Sequence, residues 1–248
     1  MSTNPPPDFN PYTERTDLLL GRDVTARLRD RHVFIAGLGG VGSYAAEAIA
    51  RAGIGRMTLA DHDVVGASNL NRQLVALRST VDRPKTEIMT ARIRDIDPDI
   101  EVTIRHDFLQ PDTIGDLVPE DADFVLDAID SIVCKAALVA TAQARGQGVI
   151  SSMGAGGRID PTAVRVGPLA ETRVCPLARQ MRKRLRRLGA HLDYPVVFSI
   201  EQPRKGTEHR PVGDGGRPRS VNGTISYLPA IFGLTAAGHV IQNLIARA

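Results

Sequence analysis

The stretch Val33-Phe34-Ile35-Ala36-Gly37-Leu38-Gly39-Gly40-Val41-Gly42 decides the fold of this 248-residue chain. Its first four residues form an apolar, strand-like run. The glycines follow at once, and Ser43–Ile49 then repeats apolar residues with a helical period. Strand, glycine loop and helix start define a nucleotide-binding turn. Glycines let the backbone approach a phosphate closely, and the unpaired N–H groups of the helix start favour an anion. Gly37, Gly39, Gly40 and Gly42 are the candidate phosphate-loop residues. A tight turn with nothing bound is the bland reading, and the strand and helix on either side weigh against it.

The second strand, Arg56–Ala60, ends on Asp61. A carboxylate there accepts hydrogen bonds from ribose hydroxyls, which NAD and ATP share. Charge separates the two, because a triphosphate needs more cations and a carboxylate for its Mg2+. Arg72 lies in the loop after Asp61, Lys85 opens the next helix, and Asp130 follows the buried run Phe124–Ala128. All three belong to the edge of the sheet where ligands bind in such folds. Taken singly, each is an ordinary surface charge; their joint placement at strand ends favours a triphosphate, with Asp130 either holding Mg2+ or positioning an attacking group.

Further along, strand-like and helical segments alternate. Lys85–Asp97 is an amphipathic helix with Ile88, Met89, Ile93 and Ile96 on one stripe, Glu101–Arg105 a strand, Asp112–Leu117 a short helix, Cys134–Arg145 a helix and Gly148–Ser151 a strand. This alternation predicts an α/β fold: a Rossmann-like, doubly wound, mainly parallel sheet, continued by a mixed or antiparallel C-terminal part. Thr16–Asp30 reads as a leading helix or helix pair, Arg158–Val166 as a hairpin arm, Ser220–Tyr227 as a final strand and Ile231–Ala246 as a final helix. Residues 1–14 are expected to be a disordered lead-in. Residues 15–248 are expected to form one domain with a mobile basic insert at 203–219.

Composition narrows the function. Hydrophobic content of 42% and charged content of 24% are those of an ordinary globular protein. Trp is absent, which argues against aromatic platforms for single-stranded nucleic acid. Two cysteines, Cys134 and Cys175, can build neither a disulfide framework nor a four-cysteine zinc site. The N-terminal residues carry no signal pattern, and Pro229, Gly233, Gly238, His239, Gln242 and Asn243 interrupt the apolar C-terminal run, so a cytoplasmic protein without a membrane span is expected. The net charge of +3 is unevenly spread. Arg179, Arg182, Lys183, Arg184, Arg186 and Arg187 crowd one helix, and Arg204, Lys205, Arg210, Arg217 and Arg219 a Pro- and Gly-rich loop. A solvated helix face is the bland reading; a surface for RNA phosphates is the functional one.

Together, Gly37–Gly42, Asp61-His62-Asp63, Ser68–Gln73, Arg83-Pro84-Lys85 and Asp127–Ser131 resemble the ubiquitin-activating-enzyme-like adenylating superfamily. Within it, Arg15–Gly21, Gly154–Pro161, Val196–Pro203 and Gly223–Pro229 are most similar to the tRNA threonylcarbamoyladenosine dehydratase family. That resemblance implies ATP held by the glycine loop and Asp61, with Asp63 and Gln73 in the same set. Asn69, Arg72 and Lys85 would meet the phosphates, and Asp130 would serve Mg2+ or the attacking carboxylate. Arg15 would reach across a homodimer into the partner's site. The implied substrate is tRNA bearing N6-threonylcarbamoyladenosine, dehydrated next to the anticodon through an acyl-adenylate. A sulfur-relay partner is compatible with the same resemblance. The alternative is an adenylating activator of a ubiquitin-like sulfur carrier, many of which bind zinc through paired CxxC motifs missing here. In such activators a cysteine can carry acyl or sulfur groups; for Cys175 and Cys134 inert packing is the simpler reading. An NAD-dependent oxidoreductase leaves Arg15, Arg72, Lys85 and Asp130 unused, and a non-catalytic RNA-binding protein leaves the phosphate and metal positions unexplained.

Overall fold

The computed structural model describes residues 11–107, 109–204, 209–210, 219–220 and 223–246. Two short helices lead, α1 (Glu14–Leu20) and α2 (Arg22–Arg29), separated by Gly21. There follow β1 (His32–Ala36), α3 (Gly42–Arg51), β2 (Arg56–Ala60), α4 (Lys85–Ile96), β3 (Glu101–Arg105), α5 (Ile114–Leu117), β4 (Phe124–Asp127), α6 (Ile132–Ala144) and β5 (Gly148–Ser152). The second half contributes β6 (Val164–Pro168), α7 (Pro176–Arg187), β7 (Pro195–Ser199), the two-residue strands β8 (His209–Arg210) and β9 (Arg219–Ser220), and α8 (Leu228–Ala246).

One seven-stranded sheet runs in the order β3-β2-β1-β4-β5-β7-β6. Every pair is parallel except β6 with β7, which matches the expected doubly wound sheet with a mixed end. The chain order reverses between β1 and β4, and ligands of such sheets bind beyond the strand ends at that switch point. The register levels those ends. Ala36 pairs with Ala60 and with Asp127, and Asp127 with Ser151. The residues that come next, Gly37, Asp61, Ala128 and Ser152, therefore share one edge.

Strand alternation splits the core between two faces. Val33 and Ile35 of β1 pack with Leu28, Ala45, Ile49, Met89, Ile93, Phe232 and Val240. Phe34 and Ala36 pack with Ile114, Leu138, Val139, Met181 and Leu185. Helices α2, α3, α4 and α8 thus cover one face, and α5, α6 and α7 the other. On α4, Met89 and Ile93 are fully buried and Ile88 packs partly against the same core, whereas Ile96, the last residue of the expected stripe, is only half-buried. α8 is long and apolar enough to cross a membrane by length and composition, yet Leu228, Phe232, Ala236, Val240 and Leu244 are buried in the core.

Three expectations change. Of the final strand expected over 220–227, Ser220 belongs to β9 and pairs with His209, residues 221–222 lie outside the described residues, and residues 223–227 form no strand. α8 begins at Leu228, earlier than expected, because Pro229 suits a helix's first turn, where its missing N–H has no acceptor to lose. The arm expected at Arg158–Val166 is a strand only from Val164, and its partner, β7, is a strand the patterning did not mark. Residues 1–10 of the expected lead-in, and 205–208 and 211–218 of the expected insert, lie outside the described residues.

Candidate nucleotide site

The glycine loop turns at Gly37, whose φ of +89° suits glycine, and whose Cα packs so closely that a Cβ would lie 2.8 Å from the Ala128 carbonyl oxygen. Gly42 opens α3 against the loop, where a Cβ would overlap the Gly37 carbonyl. Gly42 thus packs tightly under the loop and is not among the residues that line the cleft. Ser43 Oγ donates to the Gly39 carbonyl at 2.7 Å and fastens the turn to the helix. At the start of α3 the Ser43 N–H also donates to the Gly39 carbonyl, at 3.2 Å, and the Ala45 N–H to the Val41 carbonyl, at 3.1 Å.

Asp61 reaches back to this loop. Its Oδ2 accepts the Leu38 N–H at 2.6 Å, and its Oδ1 accepts the Asp63 N–H at 2.8 Å. It therefore staples the loop to β2 as well as lining the cleft. Lys85 is tied to residue 63 twice: its N–H donates to the Asp63 carbonyl at 3.1 Å, and its ammonium lies 2.6 Å from Asp63 Oδ2. Only 4% of Lys85 is exposed.

These groups meet in a cleft of about 330 Å³ at the switch point, within the size range of small-molecule sites. Gly37, Gly39, Gly40, Asp61, Asp63, Arg72, Gln73, Lys85 and Asp130 all line it. Asp130 is exposed there. Arg72 donates to the Ser68 carbonyl and to Asn71 Oδ1, both at 2.9 Å, which fixes its guanidinium at the cleft wall. Gln73 is 9% exposed and lines the cleft. Asp61, His62 and Asp63 place one ligand atom each within 4.8 Å of one another. Both Asp61 oxygens and the Lys85-paired Asp63 are already engaged, so Asp130 is the better carboxylate for a cation.

Other expected residues fall elsewhere. Asn69 is not on the cleft wall: its Oδ1 accepts the Gly66 N–H at 3.0 Å and shapes the turn before Arg72. Arg15 is exposed on α1, a helix without buried residues that presents Leu18 and Leu19 at 74% and 80% exposure. On α7, Ala178, Met181 and Leu185 face the core, so the cations occupy one side and its flanks. Arg179, Lys183, Arg186 and Arg187 are exposed. Arg182 is half-buried and donates to Thr172, to its carbonyl at 2.8 Å and to its Oγ1, so it serves the fold. Arg204 is exposed, and Lys205 lies outside the described residues. Cys175 is buried at the start of α7, and Cys134 is buried with its Sγ on the Leu109 carbonyl, both as packing residues.

Sequence reasoning missed the far wall of the cleft, Ser152–Gly156 with Leu177 and Pro229. It also missed a buried polar group behind Asp130. Asp127 and Lys135, both fully buried, form an ion pair at 2.8 Å. Burial pushes the Asp127 carboxyl up, and Lys135 and Ser151 pull it back. Burial also pushes the nearby Tyr194 phenol up.

Fold and cleft define a nucleotide-binding α/β protein whose site carries both cations and carboxylates. The chain belongs to the ThiF family, which it matches over residues 13–248. It is 38% identical over 240 residues to the tRNA threonylcarbamoyladenosine dehydratase of Bacillus subtilis (strain 168), covering 93% of each chain. It is also similar to crystal structures of the E. coli tRNA N6-threonylcarbamoyladenosine dehydratase. The complex with AMP superposes with a TM-score of 0.84 at 38% identity, over 94% of this chain and 93% of that one. The complex with ATP gives a TM-score of 0.84 at 37% identity over the same shares.

Proposed function

We propose that this protein dehydrates N6-threonylcarbamoyladenosine in tRNA at the expense of ATP. The observation that carries the reading is a glycine loop at a helix start, Arg72, Lys85 and Asp130 lining one cleft, in a chain similar over 94% of its length to an E. coli dehydratase solved with ATP.

The chemistry follows from the substrate. The free threonine carboxylate is a poor electrophile because its leaving group would be oxide. Its oxygen attacks the α-phosphorus of ATP, the bond to the β-phosphate oxygen breaks, and pyrophosphate departs. The carbamoyl group then attacks the activated carbonyl carbon and loses a proton, and AMP leaves with the former carboxylate oxygen. One water is lost overall and a ring closes. Closure is intramolecular, so positioning supplies the rate and no enzyme nucleophile is required. This agrees with the burial of both cysteines.

Loop N–H groups, Arg72 and Lys85 would offset the phosphate charge, and Asp61 would take the ribose. The exposed Asp130 carboxylate fits Mg2+, which when bound supplies charge against the triphosphate. Arg15 would act in the site of a second copy in a homodimer, and the exposed Leu18 and Leu19 beside it suit such a contact. The α7 cations would hold RNA phosphates, with the enzyme at work in the cytoplasm.

Incubation with α-labelled ATP tests the reading. AMP should form with tRNA bearing the modified nucleoside and not with tRNA lacking it. AMP formation that ignores tRNA and responds to a carrier protein with a Gly-Gly tail would transfer the reading to sulfur-carrier activation.

A further inference from the structure

Asp130 enters the cleft from a turn held by a dry ion pair. Lys135 lies in the first turns of α6, and neither it nor Asp127 is exposed. The Lys135 ammonium grips Asp127 twice, at 2.8 Å from Oδ2 and 3.4 Å from the main-chain carbonyl. Ser151 Oγ donates to the same Oδ2 at 2.6 Å, and the Tyr194 hydroxyl lies 3.2 Å from Ser151 Oγ. The remaining oxygen, Oδ1, accepts the Ile129 N–H at 3.2 Å. Asp130 is the next residue. On the other side, the Ala128 N–H donates to the Ala36 carbonyl at 2.8 Å, and the Ala128 carbonyl backs onto Gly37. Residues 128 and 129 are thus clamped between the glycine loop and the ion pair, and Asp130 follows directly.

Stability does not call for such a pair. Replacing a buried ion pair by apolar residues of similar volume is commonly neutral or stabilising. What the pair adds is orientation, since two donors on Oδ2 leave Oδ1 aimed at Ile129. We propose that Asp127 is a positioning residue: oriented by Lys135 and Ser151 on Oδ2, it fixes through Oδ1 the turn that presents Asp130 to the cleft. The role rests on the reading above, in which Asp130 serves the reaction.

A mutant cycle on AMP release and ring closure tests it. Asp127→Leu with Lys135→Met removes both charges and the acceptor for Ile129. Asp127→Asn with Lys135→Met removes both charges and keeps an acceptor. The Leu/Met pair should melt like the Asn/Met pair and lose about 100-fold in kcat, the loss typical of a small misplacement. The Asn/Met pair should retain most of its turnover. Asp130→Ala should then cost little more in the Leu/Met background, although it is severe in the natural chain. Equal turnover of the two pairs, or an undiminished Asp130→Ala loss in the Leu/Met background, would overturn the role. Should the Leu/Met pair fail to fold, Ser151→Ala replaces it: partial, non-additive loss with Asp130→Ala supports the role, and strict additivity overturns it. A natural chain that forms no AMP with its modified tRNA would remove the reaction itself, and the role with it; an active natural chain with additive losses removes only the role.

Discussion

The Lys85 ammonium and the Asp63 carboxylate lie 2.6 Å apart at the mouth of the cleft, the lysine side chain 5% exposed and the aspartate 52%. The buried partner supplies positive charge where phosphates would sit, and the exposed one keeps that charge in place. Lys85→Met should weaken ATP binding at least about tenfold, the scale of a charged hydrogen bond. Stability should change by less than about 1 kcal/mol, because one partner is half in water. Calorimetric titration with ATP, paired with a urea melt, checks both; unchanged affinity would take Lys85 out of the phosphate site.

Asp130→Ala should leave the fold intact, since Asp130 is exposed, while lowering turnover by at least about 100-fold, as losing a charge at a reacting phosphate does. Single-turnover AMP formation beside a circular dichroism spectrum decides it. Activity within a few-fold of the natural chain would remove Asp130 from the chemistry.

Much of this site was legible in the sequence because its parts occupy fixed stations of a βαβ fold. Glycines after β1, an acid after β2 and an acid after β4 can be located by counting strands. Lys135 could not be read that way, because a lysine near a helix start is ordinarily solvated and only the packing of α6 on β4 dries it. The half-burial of Arg182 was hidden for the related reason that charge density alone does not reveal which face of α7 is buried. β7 was missed because its partners, β5 and β6, are set by tertiary pairing. Asn69 sits one turn from Arg72, and its hydrogen bond to Gly66 is visible only in the folded loop.

Arg15 stands outside the cleft of its own chain, on the exposed α1. In the proposed homodimer, Arg15→Ala should therefore cut turnover and leave assembly largely intact. Mixing it with Asp130→Ala subunits should restore part of the activity, because one site of the heterodimer then has both natural residues. Verified heterodimers without rescue would confine Arg15 to its own subunit or remove it from the chemistry.

The exposed cations of α7 should govern tRNA affinity through phosphates. Changing Arg179, Lys183, Arg186 and Arg187 to Gln should weaken binding and flatten the dependence of log K on log salt, by about 0.7–0.9 for each phosphate that is no longer neutralised. Arg182→Gln should act differently, lowering the melting temperature because its hydrogen bonds to Thr172 are gone. An unchanged salt slope in the fourfold variant would move the RNA surface elsewhere.

Burial holds the His239 imidazole below its ordinary value of 6.5, beside the edge of the Phe124 ring. The unfolded chain then binds a proton that the folded one refuses, so stability is full above about pH 6.5 and falls as the pH drops toward the folded value. His32 is also lowered by burial and adds to the same slope. Urea titrations from pH 8 to pH 5 should show a shallower decline for His239→Asn than for the natural chain. Parallel curves would place the proton uptake on other groups.

Mass spectrometry of nucleosides from N6-threonylcarbamoyladenosine-bearing tRNA, treated with the purified protein with and without Mg-ATP, tests the central claim most directly. The account predicts that this nucleoside loses the mass of one water, and only when ATP is present. An unchanged nucleoside, under conditions where ATP demonstrably occupies the cleft, would contradict it.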